Sequence, residues 1–277
     1  MLARAKLNLA LHVTGQRQEG TQAGYHLLHS LVAFADVGDE VSVEASDADR
    51  LTVDGPFAEG VPPLAENTLG AALAMVRGWG EACDPVHIHL TKNLPIASGI
   101  GGGSADAAAL TRLLTKGRDL SASEWADCLK LGADVPMCLS GVPAIVGGIG
   151  EQSDPVSLPA AHIVLVNPGV AVSTPAVFKA LTQKSNPPMP DWSAPQSFED
   201  LVAYLHATCN DLMAPAIGLA PEIEACLDAL AEAPFARMSG SGATCFALLE
   251  TADADASLAA GLQSAHPNWW VTSGALA

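Results

Sequence analysis

The sequence predicts a two-layer fold that mixes strands with helices. Three patterns carry that prediction: period-two alternation of apolar residues near the start, alanine-rich helical runs in the first half, and short apolar runs alternating with helices in the second. From Leu7, apolar residues fall at 7, 9, 11 and 13, while Lys6, Asn8 and His12 share the opposite side. That is a strand with one buried face. Residues 14–25 are polar and glycine-bearing and read as a loop ending near Gly24-Tyr25-His26. Residues 27–44 read as one or two further strands.

Residues 66–79 predict a helix with Asn67 as its N-cap, and residues 86–90 a short strand. Glycine-rich residues 99–103 lead into an alanine-rich helix reaching about Lys116. Ser121 with Glu124 has the spacing of a capping box, for a helix that ends near Gly132. After the glycine-rich stretch 140–151, Ser153-Asp154-Pro155 marks a boundary, which divides the chain into domains 1–152 and 153–277. Beyond it, 162–166 reads as a strand and 175–181 as a short helix. Residues 185–197, with four prolines, read as a loop. Helices are expected around 198–208 and 221–232, and 237–249 reads as strand, glycine turn and strand.

Charge narrows the function. The 277 residues hold 13 Lys and Arg against 30 Asp and Glu, a formal net charge of −17, and 49% are hydrophobic. So much apolar material excludes a disordered chain, and so acidic a surface argues against a general nucleic-acid or anionic-membrane binder. Beyond residue 150 the cations are Lys179, Lys184 and Arg237, against 13 acids. That half would have to contact a phosphate mainly through backbone amides. Cys83, Cys128, Cys138, Cys209, Cys226 and Cys245 are scattered without a CxxC pair, which favours isolated reduced thiols. Arg4 and Lys6 before apolar residues imitate a targeting segment, but Asn8 and His12 interrupt the run. No stretch approaches the ~18 uninterrupted apolar residues of a membrane span, so a soluble cytoplasmic protein is expected.

The segment from Pro95 to Ala109 carries the clearest chemistry. Gly99, Gly101, Gly102 and Gly103 let backbone amides approach an anion, and the helix behind them adds its N-terminal N–H groups and dipole. The segment is not a Walker loop, because no Gly-Lys-Ser/Thr closes it. The dinucleotide pattern is a near miss, with Ser104 where the third glycine belongs. A phosphate cradle accounts for it better than a flexible linker does. In Gly132-Ala-Asp134-Val-Pro136, Asp134 fits either a helix cap or a carboxylate that accepts a hydroxyl proton. Lys6 and Asn8 share a strand face roughly 6.5–7 Å apart, an arrangement that a solvated edge strand also produces. Ser239-Gly-Ser-Gly-Ala-Thr244 reads as a glycine turn, or as a second anion-contacting loop. His87 and His89 could share a strand face, but no third metal ligand lies at suitable spacing, so they read as ordinary strand residues.

Taken in order, these motifs resemble the GHMP kinases, over about residues 3–249. They are Ala5-Lys6-Leu-Asn8-Leu, Gly24-Tyr25-His26, Leu94-Pro95 through Ala107, Gly132-Ala-Asp134-Val-Pro136 and Ser239-Gly-Ser-Gly-Ala-Thr244. Asn167-Pro-Gly-Val170, Thr174-Pro175-Ala-Val-Phe178 and Asn210-Asp-Leu212 add to the likeness. It implies an α+β fold of two domains, the first like a domain of ribosomal protein S5 and the second ferredoxin-like. The implied activity is transfer of the γ-phosphoryl group of ATP, with Mg2+, to an alcohol of a cytidine diphosphate-linked methylerythritol. That is a step of the non-mevalonate isoprenoid pathway. Another GHMP small-molecule kinase and a catalytically silent nucleotide-binding protein are the alternatives. By the same likeness Asp134 is the general base and Lys6 its cationic neighbour. Asn8, His26, Thr174 and Pro175 hold the substrate, and Tyr25 and Phe178 stack on its cytosine. Pro95, Gly99, Gly101, Gly102, Gly103 and Ser104 wrap the ATP phosphates, with Asn67 and Lys92 near the adenosine. The reading requires the Lys6 amine and the Asp134 carboxyl to converge at the mouth of the glycine cradle.

Overall fold

The computed structural model describes residues 1–20, 23–80 and 84–276. Thr21 and Gln22 of the expected 14–25 loop, and Cys83, lie outside the described residues. In chain order the elements are β1 (Leu2–Gln16), β2 (His26–Ala45), β3 (Arg50–Asp54), α1 (Thr68–Gly78), β4 (Val86–Thr91), α2 (Gly102–Leu114), α3 (Ala122–Leu131) and α4 (Val135–Ser140). Then follow β5 (Ala144–Gly147), β6 (Gln152–Pro155), β7 (His162–Asn167), α5 (Thr174–Ala180), α6 (Phe198–His206), α7 (Met213–Leu219) and α8 (Glu222–Ala229). The last are β8 (Phe235–Met238), β9 (Cys245–Leu249), α9 (Ala252–Ala265) and β10 (Trp270–Ala275). Among the described residues one sheet has the order β3-β4-β2-β5-β6, with β1 paired to β2. The other runs β10-β7-β9-β8 and is antiparallel throughout. None of the described helices is long and apolar enough to cross a membrane.

The chain forms two compact units that alternate along the sequence. The first comprises Met1–Ala5, Gly38–Ile96 and Gly101–Gly141; the second comprises Lys6–Val37, Ala97–Ile100 and Val142–Ala277. In the first unit Asn67 caps α1 as expected, its side-chain oxygen accepting from Leu69 N (2.7 Å) and Gly70 N (3.4 Å). The helix then buries Leu69, Ala72, Leu73 and Val76, a stripe at helical spacing. These residues share a core with Ile88 and Leu90 of β4 and with Ala105, Ala107, Ala108, Ala109 and Leu110 of α2. The alanines of α2 permit close approach, and each buried leucine contributes about 1.5–3 kcal/mol by leaving water. Ser121 and Glu124 complete both halves of the predicted capping box.

In the second unit β7 and β9 are buried nearly throughout. Val164, Val166, Cys245 and Ala247 pack with Ile223 and Cys226 of α8 and with Leu11 and Val13 of β1. The structure corrects the reading of β1 as a strand with one buried face, because Lys6, Asn8 and His12 are buried as well. Their polar atoms find partners from distant segments, so the face needs no solvent. Ser153-Asp154-Pro155 lies in strand β6, exposed along its length and paired to β5. Polar edge strands such as β3 and β6 lack a clean alternation to announce them. Helix α7 is disguised by Pro215, which its first turn tolerates because the N–H there has no intrahelical partner.

Arg237 on β8 is a buried cation whose hydrogen bonds run to neutral acceptors. Its guanidinium donates to the carbonyls of Leu9 (2.9 Å), Leu205 (3.0 Å) and Thr208 (2.7 Å) and to the Thr208 hydroxyl (2.8 Å). It also sits 4.6 Å over the Phe235 ring. Burial draws its pKa down to about 10, which leaves it charged at neutral pH. Arg237→Ala strands these acceptors in the interior, and it should lower stability by about 3 kcal/mol or more. The denaturant midpoint checks this, and an unchanged midpoint would mean that water replaces the guanidinium at no cost.

Candidate active site

Within the first unit, α2 begins where the glycine motif ends. Gly101, at its N-cap, has a φ of 68°, a left-handed conformation suited to glycine, and no side chain caps the helix. The first-turn N–H groups of Gly102, Gly103 and Ser104 have no intrahelical acceptor by helix geometry, and the helix dipole places positive potential there. A Cβ on Gly103 would come no nearer than 3.5 Å to the Thr68 hydroxyl. A Cβ on Gly102 would lie 3.1 Å from Lys92 Nζ, so the absence of a side chain keeps the backbone against a charged group. Uncapped amides over a buried ammonium form a fitting cradle for an anion.

Lys92 is 4% exposed and held from two sides. Its ammonium donates to Asp39 Oδ2 and, at 2.8 Å, to Asp106 Oδ2. Asp39 is fixed in turn by the amides of Asn93 (2.7 Å) and Leu94 (2.8 Å). The other oxygen of Asp106 is buried with no hydrogen-bond partner. Burial pushes the Asp106 carboxyl up to about 7, opposed by Lys92 and reinforced by Asp39. Burial also disfavours the charged lysine, but Asp106 and Asp39 outweigh it and hold its pKa above the ordinary value. Two of the ammonium's donors thus serve carboxylates beneath the loop. The amide of Asn67 is similarly occupied, capping α1 and donating to Pro62 O at 2.9 Å. Pro95 is buried. Asp134 takes the N-cap position of α4, yet its side chain makes no capping hydrogen bond, so capping does not account for it. Ser104 Oγ lies 3.8 Å from where a Gly132 side chain would begin, which brings the cradle near the Asp134 turn.

Within the second unit, Lys6 and Asn8 meet as the strand spacing predicts. Lys6, 5% exposed, donates from Nζ to Asn8 Oδ1 at 2.9 Å, while Asn8 Nδ2 donates to Ser30 Oγ at 2.8 Å. The Asn8 amide N–H reaches Ser239 Oγ at 3.1 Å, and that hydroxyl donates to Gly99 O at 3.0 Å. Gly99 has a φ of 78°, and a Cβ there would strike Ser239 O at 2.5 Å. The 239–244 motif is therefore a buried platform against residues 98 and 99, with Thr244 N donating to Ser98 O at 3.1 Å.

Farther along, His26 stacks on Phe178 with ring centroids 4.8 Å apart. Burial, and then nearby Lys184, lowers the His26 pKa, so the ring is neutral at pH 7. The ring on Phe178 is thus His26, whereas Tyr25 is 60% exposed. Thr174 is exposed, its hydroxyl 2.7 Å from that of Ser241, and Pro175 beside it is exposed too. Gln16, 3.4 Å from His26, also lines an open cavity of about 400 Å³ with Gln183 and Lys184. Sequence reasoning missed Lys184, Asp39 and Asp106. A charged residue inside the run Ala105-Asp106-Ala107 was the one local signal available.

Residues 66–142 match the model of the GHMP kinases N terminal domain, and residues 193–268 that of the GHMP kinases C terminal domain. A protein of Cereibacter sphaeroides named 4-diphosphocytidyl-2-C-methyl-D-erythritol kinase is 49% identical, over 97% of this chain and 96% of its own. One of the same name from Roseobacter denitrificans is 50% identical, over 98% of this chain and 91% of its own. A crystal structure of 4-(cytidine 5'-diphospho)-2C-methyl-D-erythritol kinase superposes with a TM-score of 0.78 at 31% identity, covering 100% of this chain and 98% of that one. Homoserine kinase from Cytophaga hutchinsonii, at 19% identity and a TM-score of 0.65, shares the fold.

The Asp106 carboxyl yields a stability test. Its pKa rises from 3.8 unfolded to about 7 folded, so the folded state holds the proton more tightly. The resulting stabilisation is complete below pH 3.8 and is lost as pH rises through about 7. Asp106→Asn mimics the protonated form and should remove this dependence. Melting temperatures at pH 5 and pH 8 should fall more for the parent than for the variant; equal falls would contradict the shift.

Proposed function

The chain belongs to the GHMP kinases, and on that premise we propose that it transfers the γ-phosphoryl group of ATP to the 2-hydroxyl of 4-diphosphocytidyl-2-C-methyl-D-erythritol. The observation that carries phosphoryl transfer is the uncapped N-terminus of α2, which follows two glycines in left-handed conformations, Gly99 and Gly101. Such amides are positioned before the substrate arrives, and phosphoryl transfer needs positioning and charge stabilisation more than covalent chemistry. The choice of acceptor rests on the full-length likeness to kinases of that name. Residues 1–152 would supply the ATP side, and residues 153–277, together with Tyr25 and His26, the substrate side.

In this reading Gly99, Gly101, Gly102, Gly103 and Ser104 wrap the phosphates by backbone and hydroxyl. Pro95 belongs to the same segment, and Asn67 and Lys92 lie near the adenosine. Magnesium, arriving with the nucleotide, supplies charge neutralisation on the phosphates. Asp134 accepts the proton of the attacking hydroxyl, and Lys6 offsets the developing negative charge. Asn8 is a positioning residue: it fixes the Lys6 ammonium through Oδ1 while Ser30 and Ser239 fix it in turn. The neutral His26 on Phe178, with Tyr25, Thr174 and Pro175, receives the cytidine end, and Lys184 supplies a cation beside it. The free thiols of Cys128, Cys209, Cys226 and Cys245 suit a reducing cytoplasm.

Two measurements test this. ADP release should be fast with the cytidine-linked substrate and negligible with mevalonate, homoserine or galactose; preference for one of the latter would reassign the acceptor. Asp134→Asn should keep ATP binding and lose kcat by about 10²–10⁴-fold. Undiminished turnover in that variant would remove Asp134 from the chemistry.

A further inference from the structure

His87 and His89 alternate along β4 and so share one face of the sheet. The antiparallel register sets Glu44 of β2 directly opposite His87. Glu44 Oε1 lies 3.1 Å from His87 Nδ1 and 3.3 Å from His89 Nε2. The two imidazoles thus converge on one carboxylate oxygen, with their centroids 3.8 Å apart. Tetrahedral zinc, with bonds of about 2.0–2.1 Å to nitrogen and oxygen, separates its ligand atoms by about 3.3 Å. The observed spacings match that edge. On the far side of the ring, His87 Nε2 is 2.7 Å from the hydroxyl of Thr52 on β3. A hydrogen bond at the remote nitrogen is the arrangement that orients a metal-binding histidine and leaves its other nitrogen as donor atom.

We propose that Glu44, His87 and His89 form a site for a divalent ion of borderline softness, zinc being the best fit to a His-His-carboxylate set. Solvent fills the fourth position, since Glu44 and His89 are substantially exposed. The ion ties β2 to β4 just upstream of Lys92, adding a bond to the ladder that already pairs the two strands. A second cluster, His12, Cys209 and Asp211, is less suited. There His12 Nε2 already accepts the Cys209 backbone N–H at 3.0 Å, and the thiol donates to Asp211 Oδ1 at 3.1 Å. Burial, with Asp211 assisting, pushes that thiol up to about 12, so a metal would have to displace both a proton and a hydrogen bond.

The test uses full-length protein stripped of metal and free of nucleotide. Calorimetric titration with Zn2+ should give one ion per chain. His89→Gln should abolish that binding while leaving kinase activity, assayed with excess Mg2+ and a zinc-selective chelator, and melting temperature in the same chelator unchanged. Thr52→Val should weaken it about 10–100-fold, the usual effect of losing an outer partner. Titration with Co2+ should give visible bands of a nitrogen and oxygen environment. Absence of saturable binding would overturn the proposal, as would equal binding by His89→Gln. A thiolate-to-cobalt charge-transfer band would place the ion at Cys209 and overturn it too.

Discussion

A buried ammonium under the glycine loop is the constraint on which the first unit depends. Lys92 joins β2 through Asp39, α2 through Asp106 and its own following turn through the amides that Asp39 accepts. A charge triad of this kind adds little net stability, because desolvating three ionic groups offsets their attraction. Its effect is to permit few geometries. Any sliding of α2 along the sheet would leave an ionised group unpaired in the interior, a penalty of several kcal/mol. The helix N-terminus, and the amides it presents, are therefore placed by electrostatics while the alanine-rich face supplies cohesion.

The second unit solves the corresponding problem with neutral groups. Asn8 uses both ends of its amide and its backbone N–H within the protein, and each partner is itself anchored: Ser30 donates to Ala10 O, and Ser239 to Gly99 O. An ammonium at the end of such a chain has few orientations open to it. Arg237 belongs to the same economy of neutral acceptors, with carbonyl dipoles taking the place of a carboxylate.

Local patterns in the sequence were sufficient for Asn67, the Ser121–Glu124 box, the alternation in β1 and the glycine run before α2. Each depends on residues within four or five positions of one another. What depended on strand register or on chain segments far apart was not legible. No spacing rule connects Glu44 with His87, or Asp39 with Lys92. The burial of β1's polar face likewise follows from Ser239, Pro187 and Cys209, which arrive from the other end of the chain. Asp134 sits midway: the motif located it on a helix start, and only the structure shows that its side chain makes no capping hydrogen bond there.

Strands β1 and β2 both pass from one compact unit to the other without leaving the extended conformation, and residues 97–100 cross back a third time. Neither unit is an uninterrupted piece of polypeptide. A single recombination point therefore cannot transplant either unit whole. During synthesis on the ribosome, the first unit lacks no residue once position 141 has emerged, whereas the second waits for the last strand, β10, before its sheet can close.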